Sequence, residues 1–119
     1  MTDFLNLVYA EQCSTAIVTL KNGALASQGS RQGMYQISDP INGKPSWTSN
    51  SRAIWYLFNG YWFIGDLENI GENYASIYTN DNDGGLDDTN NQWKYWDGSN
   101  WIPASTNDIF INCTSKYIF

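Results

Sequence analysis

Hydrophobic positions along this chain recur in short stretches with a period of two, and turn residues interrupt them. Period two is the mark of a strand with one buried face. The clearest stretch is Ala53–Phe58 followed by Asn59-Gly60 and Tyr61–Asp66. Asn-Gly between two β-branched and aromatic runs is the strongest short-range hairpin signal, because a type I′ turn needs positive φ at both central residues. With a two-residue turn, Phe58 faces Tyr61 and Leu57 faces Trp62. One face then carries Ile54, Tyr56, Phe58, Tyr61 and Phe63, and the other carries Trp55, Leu57, Trp62 and Ile64. Both faces are apolar, so this hairpin is expected at the centre of the fold, covered on both sides, with Trp55 and Trp62 in the core.

Other stretches read the same way. Ala16–Leu20 runs to Asn22-Gly23. Met34–Ser38 alternates with Tyr35 and Ile37 inward and is expected to stop at Asp39-Pro40. Pro45–Thr48 follows the turn Asn42-Gly43, and Tyr74–Thr79 is a further β-type run. Trp93–Trp96, the turn at Asp97-Gly98 and Asn100–Ile102 form a second hairpin, and Asp108–Cys113 closes the chain. Residues 3–10 suit a short helix or an edge strand. No segment sustains a 3.6-residue period, and 21–33 and 80–92 are the longest loops. The expected fold class is all-β: one small antiparallel β-sandwich or barrel-like domain over residues 1–119, closed by one disulfide.

Charge sharpens this picture. Twelve acids and six bases give a net charge of −6. Eight of the acids lie between Asp66 and Asp97, with Lys94 the single base there. So few scattered bases exclude a nucleic-acid binder, which needs Lys and Arg on phosphates, and no apolar run approaches the ~20 residues of a membrane-spanning helix. Charged residues are only 15% of the chain, and 14 Asn, 11 Ser and 8 Thr carry the polar load. Cys13 and Cys113, near the two ends, suggest one bridge and an oxidising compartment. With a composition common in secreted β modules, they point to secretion. Met1–Phe4 shows no signal-peptide pattern. The expectation is therefore an extracellular module cut from a longer precursor, the alternative being a chain that is not secreted. Asn112-Cys113-Thr114 matches a glycosylation sequon.

Three stretches together resemble a known class of modules: Gln28–Tyr35, Asn42–Trp47, and Trp62–Gly65 with the distal Trp93–Gly98. Their order resembles short β-rich modules of large extracellular adhesive proteins in invertebrates and protists. The resemblance spans Gln28 to Cys113 and implies a small extracellular interaction domain with no catalytic residues to carry over. The chain departs from that pattern between Asp81 and Asp88, which is acidic where such modules often carry Pro before the distal Trp.

Candidate chemistry is narrow. The chain has no His, which removes the commonest general base and the Ser-His and Cys-His nucleophile systems. Asp66 and Glu68, two residues apart, remain as a carboxylate pair on one strand face, but the expectation is a binding module and not an enzyme. Arg31 and Arg52 are candidate anion anchors, with surface solvation the plainer reading. The loop Thr79–Asp88 is dense in hard oxygen ligands, so Asp81, Asp83, Asp87 and Asp88 are candidate ligands of an irregular calcium site. It is no EF-hand, since Thr79 and Asn90 occupy positions where that loop needs acids. Trp93, Trp96, Asp97, Asn100 and Trp101 are the candidate ligand-binding set, because flat rings beside amide and carboxylate groups suit carbohydrate recognition. The expected function is lectin-like glycan binding, with calcium assistance from the acidic loop as one reading and a plainly solvated acidic loop as the other. The alternative is a structural module that docks on neighbouring extracellular proteins through an aromatic patch.

Overall fold

The computed structural model describes residues 12–80, 85–86 and 92–117. The candidate metal ligands Asp81, Asp83, Asp87 and Asp88 and the expected element at 3–10 lie outside the described residues.

The chain is an all-β domain. Its strands are β1 (Gln12–Leu20), β2 (Gly33–Ile41), β3 (Lys44–Ser49), β4 (Arg52–Tyr56), β5 (Trp62–Asp66), β6 (Ile77–Thr79), β7 (Trp93–Trp96), β8 (Trp101–Pro103) and β9 (Ile109–Tyr117). They form one antiparallel sheet in the order β8-β7-β6-β5-β4-β3-β2-β1-β9. The meander runs from β1 to β8, and β9 then pairs with β1. Residues 104–108 alone connect the two edge strands, so the sheet has to curl. The barrel-like form of the expected fold is therefore the one adopted, with β4 in the middle of the order. The Cys13–Cys113 disulfide joins β1 to β9.

The concave face holds the main core. Directly opposed residues run across it from Trp47 through Ile54 and Ile64 to Ile77 and Tyr95. Val18 and Ile111, Leu20 and Ile109, and Ala16 and Tyr35 pair on the other side of the curl. The Trp47 indole N–H donates to the Cys13 carbonyl at 2.9 Å and ties β3 to β1.

Loop 21–33 is not plain loop. It contains helix α1 (Asn22–Gln28) and a 3-10 turn at Gly29–Arg31. The helix leaves no periodic signature because Ala24 is its one buried residue. It lies against β7: Gln28 Nε2 donates to the Trp96 carbonyl at 2.7 Å, and a Cβ at Gly23 would collide with the Tyr95 hydroxyl.

The convex face of β4 and β5 is covered as well. Ala53, Trp55 and Phe63 form a second buried cluster with Ile41, Leu57, Tyr61, Ile70, Ala75 and Tyr78. Segment 67–76 crosses this face as a strap, held where Trp55 Nε1 donates to the Glu72 carbonyl at 3.2 Å. Gly65 permits this approach, because a Cβ there would come within 3.2 Å of Ala75 Cα and 3.3 Å of the Trp55 ring. The strap accounts for two departures from expectation. Tyr74–Ser76 belong to it, so β6 is only Ile77–Thr79. Glu68 lies in a 3-10 turn (Leu67–Asn69) beyond β5, so it shares no strand face with Asp66.

The central hairpin corrects the expected faces. Asn59 and Gly60 do take positive φ, 48° and 84°, and Tyr61 N donates to Phe58 O. But Leu57 N also donates to Tyr61 O. Leu57 and Phe58 thus oppose one residue, a β-bulge that shifts the register by one. Tyr56 then faces Trp62, and Trp55 faces Phe63. A one-residue shift swaps every facing pair, so Ile54 and Tyr56 join Trp62 and Ile64 on the concave side, and Trp55 joins Phe63 outside. Strand β2 likewise continues past the expected stop at Asp39-Pro40 to Ile41, through an irregularity between Ser38 and Ile41. Such breaks in the ladder are where a strand tolerates Pro.

Neither arginine is a free anion anchor. Arg31 pairs with Asp66 at 2.7 Å and donates to Ser76 Oγ at 3.0 Å. Arg52 donates to the carbonyls of Ser30 and Gln32 and lies 4.8 Å from the centroid of the Tyr35 ring. Tyr35 is fully buried, and its hydroxyl donates to the Arg31 carbonyl at 2.6 Å. Burial pushes its phenol up to about 12, against the lowering pull of Arg52 and Arg31. The unfolded chain therefore releases this proton first, near pH 10. The stability held at lower pH is lost as pH rises from 10 towards 12, by up to about 1.4 kcal/mol per pH unit. Urea midpoints measured from pH 8 to 11.5 should fall at the alkaline end, and Tyr35→Phe should flatten that fall.

Candidate functional site

The candidate aromatic residues divide between the two faces. Trp93 points to the concave core and is buried, as is Tyr95. Trp96 faces Trp101 across the β7–β8 pair. Their rings stand 5.4 Å apart on the convex side, 37% and 39% exposed. Strand alternation separates Trp93 from this pair, and the structure brings together only the other two tryptophans of the expected set.

Asp97 and Asn100 shape the turn between those tryptophans. Asp97 Oδ1 accepts from the backbone N–H groups of Ser99 at 2.8 Å and Asn100 at 2.7 Å. Asp97 N donates to Asn100 O, and Gly98 takes a φ of 104°. The Asn100 and Ser99 amides hold the Asp97 carboxyl below its ordinary value. Asp97 is therefore a hairpin device that fixes the approach of Trp96 and Trp101, with one carboxylate oxygen already engaged.

Sequence reasoning missed most of the site that surrounds them. Phe63 opposes Tyr78 on the convex face, and Tyr78 opposes Lys94. The Tyr78 ring meets Trp101 edge-on at 4.8 Å, and Tyr61 stacks on Tyr78 at 6.0 Å and 27°. The strap supplies Asn73, Tyr74, Ala75 and Ser76 as an opposite wall. Together these residues line a groove of about 520 Å³. Its size lies in the ~300–1,000 Å³ range of small-molecule sites. Every described lining residue is uncharged. Tyr74 is the most open of the rings at 67% exposed. The Lys94 ammonium lies 5.8 Å from the Tyr78 centroid but is not among the lining residues.

The signal that could have found Tyr61, Phe63 and Tyr78 is their alternation with core residues. Tyr61 and Phe63 flank Trp62, and Tyr78 sits between Ile77 and Thr79. Aromatic residues on both sides of that alternation mark a strand whose outer face is not simply solvated.

No helix among the described residues is long and apolar enough to cross a membrane. Fold and site define a class, a small disulfide-bonded, curled antiparallel β domain with an aromatic groove on its convex face. Comparison takes the identification no further: no protein-family model, curated protein or solved structure matches the chain.

Proposed function

We propose that the protein is an extracellular binding module that recognises carbohydrate in the convex groove between the strap and the β7–β8 hairpin. The observation that carries this reading is the groove's described lining: Tyr61, Phe63, Tyr74, Tyr78, Trp96 and Trp101 with Asn73 and Ser76, none of them charged. Pyranose rings present apolar C–H faces and a rim of hydroxyls, and aromatic rings beside amide and hydroxyl groups match both. The disulfide suits an oxidising compartment and supports a secreted location. The absence of His and the uncharged lining favour binding over catalysis.

Calcium assistance is part of the proposal. The acidic run Asp81–Asp88 joins β6 to β7 in sequence, the two strands that carry Tyr78 and Trp96. Asp81, Asp83, Asp87 and Asp88 in that run are the carboxylates that would hold the ion.

A glycan array probed with the full chain, first in calcium and then in chelator, tests the reading. A sugar hit that Trp101→Ala weakens by about ten-fold or more is the expected result, and the exposure of Trp101 means the fold should tolerate that change. Loss of the hit in chelator supports the calcium component, and an unchanged hit removes it. A hit indifferent to Trp101→Ala would overturn the site. A blank array with concentration-dependent self-association would instead favour a structural module docking on neighbouring chains.

A further inference from the structure

Resting on the glycan reading, we infer that the groove takes two or more consecutive units of an uncharged glycan laid across the strands, and not a single sugar. The aromatic contacts form one continuous cluster. Tyr61 touches Tyr78 at 6.0 Å, Tyr78 touches Trp101 at 4.8 Å, and Trp101 touches Trp96 at 5.4 Å. Tyr61 immediately precedes β5, Tyr78 is on β6, Trp96 on β7 and Trp101 on β8. The two ring steps from Tyr61 to Trp101 put their centroids at most about 11 Å apart, about the length of two pyranose rings end to end.

Two further features bear on this. A volume of about 520 Å³ exceeds what one sugar ring occupies. Among the described residues the lining is uncharged and offers no counter-charge to a uronate or a sulfated sugar, and the chain's net charge of −6 opposes such anions at longer range.

Calorimetric titration of the full chain with β-1,4-glucose, α-1,4-glucose and β-1,4-N-acetylglucosamine oligomers of one to six units tests this. In at least one series, affinity should rise about ten-fold or more from monomer to dimer and level off by the tetramer. Tyr61→Ala, at the β5 end of the ring cluster, should remove most of that gain. If Tyr61→Ala fails to fold, the wild-type length series decides alone. Monomer binding as tight as hexamer binding would overturn the multi-unit inference while leaving the glycan reading intact. No binding by any member of the three series would overturn both.

Discussion

Removing the Cys13–Cys113 bridge by Cys13→Ser with Cys113→Ser is expected to lower the unfolding free energy by about 4–5 kcal/mol in the chain-entropy account. The cysteines are 100 residues apart in sequence, so the bridge restricts almost the whole unfolded chain. Against a typical total of about 5–15 kcal/mol, a loss of this size leaves a marginal domain. The folded side has its own reason to depend on the bond. Among the described residues, strand β9 is an edge strand with β1 as its one partner in the sheet. Thr15 and its neighbours already carry register shifts in that pairing. Urea unfolding should show a lower midpoint and a steeper slope for the double variant, since an unbridged unfolded chain exposes more surface. An unchanged midpoint would contradict the prediction.

The second large effect belongs to Trp55. It is fully buried on the convex side, stands edge-on to Phe63 at 5.9 Å and holds the strap through the Glu72 carbonyl. Trp55→Ala should cost about 3–5 kcal/mol, from lost burial and the cavity left behind. Trp55→Phe keeps an aromatic ring but leaves the Glu72 carbonyl without the indole N–H, a further loss of about 1 kcal/mol beyond the packing change. Both variants should also weaken ligand binding, because residues 73–76 of the strap wall the groove. Trp47→Ala provides the control. Trp47 is buried in the concave core, so its loss should destabilise comparably and leave groove affinity nearly unchanged in protein that remains folded. Equal effects of Trp47→Ala and Trp55→Ala on affinity would show that the strap does not set the groove.

Local chemistry made much of this fold legible. Asn42-Gly43 and Asn59-Gly60 are turns because Asn and Gly tolerate positive φ, and all four adopt it. Alternation placed Tyr35 and Ile37 inward, and the doubly apolar run 53–66 belonged in the middle of the sheet. Two cysteines near the ends pointed to the bridge. These features depend on residues close in sequence or on composition, which a single chain displays directly.

What the sequence by itself determined, then, was an antiparallel all-β chain, its main turns, its central hairpin and its disulfide. Tertiary structure decided the rest, because each remaining feature depends on how distant segments fit. The bulge at Leu57–Phe58 has no mark in the residues; the burial of Trp62 inside and Trp55 outside selects it. Helix α1 forms with a single buried residue because β7 lies beside it. The curl follows from joining the two edge strands through residues 104–108. Above all, the groove exists only because Phe63 comes into register with Tyr78, Trp96 with Trp101, and the strap crosses the sheet beside them. Side-chain alternation says which residues leave a strand on the same side, but only pairing between strands says which of those residues meet.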